Sequence, residues 1–143
     1  MEQAGITHNR VQFKPRVDLK SYYMSYHEVD IALDCYPYGG GTTTLDALWM
    51  GVPVVSAMGP TPVSRSAGSI LSCLGLHPWV ADSIGEYEQV AVDRAAERET
   101  IASLRRSLRG QLANSVLMDE EGFVRDLEGS FRRAWAERCE RPH

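Results

Sequence analysis

Between Leu19 and Val29 the sequence LKSYYMSYHEV places apolar or aromatic side chains at positions 19, 22, 23, 26 and 29. That spacing fits one face of a helix better than a strand. The compact run Asp30-Ile31-Ala32-Leu33-Asp34 reads as a strand closed by a carboxylate. After the loop CYPYGGG, Thr43–Met50 reads as a helix with Leu45, Leu48 and Trp49 on its core side. Gly51 stops that helix and Pro53 follows the stop. Val52–Ser56 is β-branched with little alternation, as expected of a strand buried on both faces of a parallel sheet. A Gly/Pro loop from Met58 to Val63 leads to a helix over Arg65–Leu74, with Ser64 as its expected N-cap and Gly75 as its end. Trp79-Val80-Ala81 is a short strand, and Ser83 is the expected cap of a helix at Glu86-Tyr87. Ile101, Leu104, Leu108 and Leu112 form a helical stripe. Phe123, Leu127, Phe131 and Trp135 recur every four residues, so a last long helix is expected from Glu120 to Arg138, with that stripe as an ordinary amphipathic face.

With Arg10–Phe13 as a further strand, ended by Lys14-Pro15, about four strands alternate with helices before the C-terminal helices close the chain. The expected fold class is therefore α/β, a partial parallel sheet with right-handed crossovers. Doubly wound nucleotide-binding sheets have about six strands, so this sheet is one or two short. Residues 1–9 are expected to be a flexible segment, 10–138 the domain and 139–143 a tail. The 143 residues suit one domain.

Composition narrows the chemistry. A formal net charge of −4 offers no general attraction to nucleic acid or to anionic lipid, so any phosphate binding must come from a local site. Cys35, Cys73 and Cys139 are odd in number and have no CxxC spacing, which argues against a disulfide framework or a zinc site and fits a reducing, cytoplasmic setting. The N-terminus lacks an apolar signal core, and no apolar run approaches the roughly 20 residues of a membrane span.

The stretch PYGGGTTTLD, residues 37–46, is the chemical focus. It leads from the carboxyl end of the Asp30–Asp34 strand into a helix, the edge where open α/β sheets hold ligands. A helix start presents free N–H groups and a positive dipole end, and glycines let a backbone approach an anion closely. Thr42 and Thr43 add hydroxyl donors. Asp46, one turn further on, would repel a phosphate but suits sugar hydroxyls. The run has neither the Gly-Lys-Ser/Thr of a P-loop nor the GxGxxG fingerprint. From spacing alone, a tight turn with a threonine cap and an anion site both remain open. Asp34 and Arg65 stand at the same edge. Arg65 is a candidate for the ligand or for a surface ion pair, and Asp34 a candidate for ligand contact. Asp30 is expected to start its strand or cap the preceding helix. His27 is expected in solvent and His77 in a turn, without Ser-His-Asp or Cys-His spacing.

The segments DIALDCYPYGGGTTTLDALWMGVPVVS, GPTPVSRSAGSILSCLGL and LRRSLRGQLANSVLMD resemble, in this order, the C-terminal part of the O-linked N-acetylglucosamine transferase family, including its bacterial tetratricopeptide-repeat and SPINDLY-like relatives. The resemblance covers residues 10–135. It implies a Rossmann-like C-terminal half of a GT-B glycosyltransferase that holds UDP-N-acetylglucosamine or another UDP-sugar and passes the sugar, with inversion, to a Ser or Thr hydroxyl of an acceptor protein. It implies no metal and no cofactor. It places Gly40, Gly41, Thr42 and Thr43 at the diphosphate, Asp46 at the ribose, Tyr22 toward the uracil and Tyr38 at the ligand edge. The family's animal enzymes carry His where this chain has Tyr22 and Gly41, so one phosphate donor is lost. The family's phosphate-contacting Gln and Lys, and an N-terminal half bearing most acceptor contacts and a candidate base, precede the matching region. The chain is therefore expected to be a fragment or one piece of a split enzyme. A separate N-terminal half or tetratricopeptide repeats are its expected partners. The resemblance assigns no catalytic residue here, and an exposed sheet edge and helix face favour self-association.

Overall fold

The computed structural model describes residues 5–140. Of the expected flexible segment and tail, residues 1–4 and 141–143 lie outside it. The helix expected to end at Arg138 continues to Glu140. In chain order the elements are α1 (Leu19–Ser25), β1 (Ala32–Leu33), α2 (Thr42–Trp49), β2 (Val54–Ala57), α3 (Pro62–Cys73), β3 (Val80–Ala81), α4 (Ile84–Ala96), α5 (Arg98–Ala113) and α6 (Glu120–Glu140). Short 3₁₀ turns at His8–Arg10, Tyr26–Glu28, His77–Trp79 and Val116–Met118 join them.

The sheet is parallel with strand order β1-β2-β3; Ala32 and Leu33 register with Val54 and Val55, and Ser56 and Ala57 with Val80 and Ala81. α2 carries the chain from β1 to β2 and α3 from β2 to β3, the helical crossovers that parallel neighbours require. The fourth expected strand, Arg10–Phe13, is absent: beyond the 3₁₀ turn the segment is extended but lies in no ladder, and Phe13 is 81% exposed. Without a neighbour to accept its backbone bonds, an extended run does not become a strand.

Every residue of β2 is buried. Around it Leu48, Val52, Val54, Val55, Leu71, Trp79, Leu108 and Leu112 form the core, with α4 against β2 and β3 and α5 against α2. Both glycine stops behave as the sequence indicates. Gly51 and Gly75 take φ of 81° and 71°. Paired bonds close the helix ends, Gly51 N–H to Leu48 C=O and Val52 N–H to Ala47 C=O, then Gly75 N–H to Ser72 C=O and Leu76 N–H to Leu71 C=O. This is the Schellman arrangement. Gly51 is required twice over, because a Cβ there would sit 2.7 Å from the Arg105 carbonyl oxygen.

Two expectations need correction. Thr61, not Ser64, caps α3. Pro62 occupies the first helical turn, where a missing N–H costs nothing, and Ser64 completes a capping box with Thr61. Trp49 is not core. It is 39% exposed, with the Arg109 guanidinium 5.4 Å from its ring centroid and Arg109 Nε donating to its carbonyl. The aromatic stripe of α6 is the exposed helix face expected above: Phe123, Phe131 and Trp135 are 67%, 65% and 72% exposed, and no residue of the helix is buried. Among the described residues, no helix is long and apolar enough to cross a membrane.

Candidate functional site

β1 ends at Leu33, and Asp34 N–H still bonds across to Val55 C=O (2.9 Å). The backbone then turns through Cys35–Tyr38 into the glycines, and Gly41 is the N-cap of α2. Leu45 N–H closes the first intrahelical bond, to Gly41 C=O at 3.1 Å. By helix geometry the N–H groups of Thr42, Thr43 and Thr44 precede that bond and have no carbonyl four residues back within the helix. An open cleft of about 830 Å³ lies over this turn. Its floor is Gly39–Gly41 with Thr42 and Thr43, and Pro62, Val63 and Ser66 of α3 form the facing wall. Asp34, Cys35 and Tyr38 complete the lining. Asp34 carries the one carboxylate of the lining, and no lysine or arginine joins it. Attraction for an anion here must therefore come from N–H dipoles and hydroxyls.

The sequence-derived residues divide into three groups. Gly40, Gly41, Thr42, Thr43, Asp34 and Tyr38 meet at the cleft. Within that group Gly40 N–H is already committed, donating to Asp34 Oδ1 at 2.7 Å. Gly41 is open: a Cβ built on it meets nothing within 4 Å. Asp46 and Tyr22 form a second group, one turn along α2 and facing α1. Tyr22 donates to Asp46 Oδ2 at 3.2 Å and Tyr23 to Asp46 Oδ1 at 3.0 Å, while the Tyr22 and Tyr26 hydroxyls lie 2.6 Å apart. Burial pushes the Tyr22 phenol well above its usual range, and the Tyr26 hydrogen bond and the Asp46 charge add to it. The Asp46 hydrogen bond raises the pKa of Tyr23. Tyr22 also borders a groove of about 770 Å³ between α1 and Lys14-Pro15. Arg65 stands apart. It is exposed and outside the cleft lining, and its guanidinium lies 3.5 Å from the Gly59 carbonyl.

Sequence reasoning missed four contributors. Ser66 Oγ donates to the Gly40 carbonyl (2.9 Å) and Ser56 Oγ to Asp34 Oδ2 (2.8 Å). The Tyr87 hydroxyl donates to the Asp34 carbonyl (2.7 Å), and Tyr23 joins Tyr22 on Asp46. The tyrosines at 22, 23 and 26 share one helical face, a signal that was readable. A serine in mid-helix carries no such mark.

An open parallel α/β sheet flanked by helices, with a glycine–threonine turn leading from a strand's carboxyl end into a helix, defines a Rossmann-like unit. The particular family follows from comparison. Residues 1–127 match the model of Glycosyl transferase family 41, and the chain belongs to that family. It is 38% identical over 141 residues to the rice protein described as probable UDP-N-acetylglucosamine–peptide N-acetylglucosaminyltransferase SPINDLY. It is 33% identical over 111 residues to the Arabidopsis thaliana protein of the same description named SEC. A mutant of Thermobaculum terrenum O-GlcNAc transferase superposes with a TM-score of 0.86 at 34% identity, covering 97% of this chain. The chain spans 15% of the rice protein, 11% of the Arabidopsis protein and 27% of the solved chain.

Proposed function

We propose that this chain is the UDP-sugar-binding part of a protein O-glycosyltransferase, which passes N-acetylglucosamine or a related sugar to Ser or Thr hydroxyls of a protein. The observation that carries this reading is the turn itself, where three glycines and two threonines open α2 beneath a cleft at the carboxyl edge of the sheet. Glycosyl transfer from a nucleotide sugar leaves a diphosphate, whose charge grows as the sugar bond breaks. N–H donors fixed in advance at a helix start stabilise that growing charge more than they stabilise the donor sugar, and this difference lowers the barrier. Thr42 and Thr43 add hydroxyl donors. Asp46, already ordered by two tyrosine hydroxyls, is the acceptor for ribose hydroxyls, and Tyr22 stands on the base side.

UDP titrated into the full chain by calorimetry tests the reading. Thr43→Val and Asp46→Ala are each expected to weaken binding about tenfold, and affinity equal to wild type in both would refute it. A second reading, a nucleotide-binding or assembly module that needs a separate N-terminal half for activity, is favoured by the uncovered stripe of α6. Single-turnover transfer from a labelled UDP-sugar separates the two: activity from this chain alone defeats the second.

A further inference from the structure

An anion site needs its N–H groups fixed before the ligand arrives, yet the cleft floor is built from the residue type least able to hold its own conformation. The contacts of Gly40 resolve this. Its N–H donates to Asp34 Oδ1 at 2.7 Å, and its C=O accepts from Ser66 Oγ at 2.9 Å. The residue is gripped from both sides, by the end of β1 and by α3. The grips are themselves held. Asp34 Oδ2 accepts from Ser56 Oγ at 2.8 Å, and Ser56 is fully buried in β2. The Asp34 main-chain carbonyl accepts from the Tyr87 hydroxyl of α4 at 2.7 Å.

A carboxylate in the wall of an anion site is unfavourable if it faces the anion. Here each of its oxygens already accepts from the protein, one from a backbone N–H of the glycine run. The geometry points to Asp34 and Ser66 as positioning residues that clamp the Gly40 peptide, so that the N–H groups of Gly41, Thr42 and Thr43 are held ready for a diphosphate. Gly40 is then an anchor of the turn and not a phosphate donor. The proposal rests on the nucleotide reading of the cleft.

Four variants of the full chain test it, with UDP affinity measured by calorimetry and the amide exchange of Gly40 by NMR. Asp34→Ala removes the acceptor. Its UDP affinity is expected to fall about fivefold or more, with loss of protection at the Gly40 amide. Asp34→Asn keeps the shape: its amide oxygen still accepts from Gly40, and its NH₂ donates to Ser56 Oγ, so it is expected to recover most of what alanine loses. Ser66→Ala is expected to weaken UDP similarly, and Ser66→Thr, which keeps the hydroxyl, to recover it. Asn and Ala failing equally at position 34 would mean that the carboxylate contacts the ligand itself. Tighter binding in both would mean that it only repels the anion. Either result overturns the clamp, as does unchanged affinity in Asp34→Ala and Ser66→Ala. If Asp34→Ala does not fold, the Ser66 pair, which alters a half-buried hydroxyl, decides alone. A wild-type chain that does not bind UDP overturns the nucleotide reading and the clamp together. A wild-type chain that binds, loses affinity in Thr43→Val and keeps it in all four variants overturns only the clamp.

Discussion

Replacing Gly40 by alanine puts a Cβ 2.6 Å from Thr44 Oγ1, 2.8 Å from Thr43 Oγ1 and 3.1 Å from Asp34 Oδ1. Thr43 can rotate its hydroxyl away. Thr44 is 3% exposed and β-branched, so its χ1 has little freedom to yield. The backbone must move instead, and the bond from Gly40 N–H to Asp34 lengthens with it. Overpacking of this kind costs about 2 kcal/mol. The same methyl one residue later meets nothing within 4 Å. Alanine is a poorer N-cap than glycine, so position 41 should lose about 1 kcal/mol, from the cap and not from packing. Urea unfolding measured on both variants, with m unchanged, reads the difference directly as a shift in midpoint. UDP affinity is expected to fall at least about tenfold in Gly40→Ala. Equal midpoints for the two variants, or a larger loss in Gly41→Ala, would refute the claim that Gly40 is packed into the turn while Gly41 faces open space.

Two further outcomes follow from the contacts described. Thr61→Ala removes one half of the capping box of α3 and should cost about 1 kcal/mol in urea unfolding, with Thr61→Ser close to wild type; a neutral alanine variant would show that Pro62 alone sets the helix start. The Tyr87 phenol is pushed up to about 12, first by burial and then by the charges of Asp34 and Cys35. Because the fold favours its neutral form, the contribution is complete below the ordinary tyrosine value of 10.0 and is lost as pH rises toward about 12. Tyr87→Phe should be about 1 kcal/mol less stable at pH 8, through its lost hydrogen bond, and should lose stability less steeply than wild type between pH 10 and 12; parallel slopes would refute the assignment.

What the sequence disclosed was governed by distance along the chain. The stops at Gly51 and Gly75 are local events, with donor and acceptor within five residues, and both were legible. So was the opening of α2, because the end of a strand, the glycines and the threonines are contiguous. The clamp on that turn was not. Ser66 and Gly40 lie 26 residues apart, and Asp34 and Ser56 lie 22 apart. Nothing near Ser66 distinguishes it from Ser69 or Ser72 in the same helix. Arg10–Phe13 failed as a strand for a related reason: apolar pattern gives a residue's preference, while a ladder needs a partner the pattern does not name. Trp49 was misplaced because the face of α2 that bears it meets the guanidinium of Arg109 and not an apolar neighbour. Asp34 drew attention through its position at a strand end, but its use as a brace for a peptide became visible only with the fold.

The bare surface of α6 bears on how the molecule comes apart. The helix has 21 residues and none is buried, so little tertiary packing holds it. Local terms remain, chiefly the bond from Gly122 N–H to Asp119 and the ion pairs Glu121–Arg125 and Glu128–Arg132, each pair worth about 0.3–0.5 kcal/mol. A helix held on those terms frays gradually, whereas the sheet and the helices packed on it melt as one body. Heat should therefore dissolve the far-ultraviolet helix signal in two stages. The early stage belongs to α6 and is invisible to Trp79, which is 3% exposed in the core, and visible to Trp135.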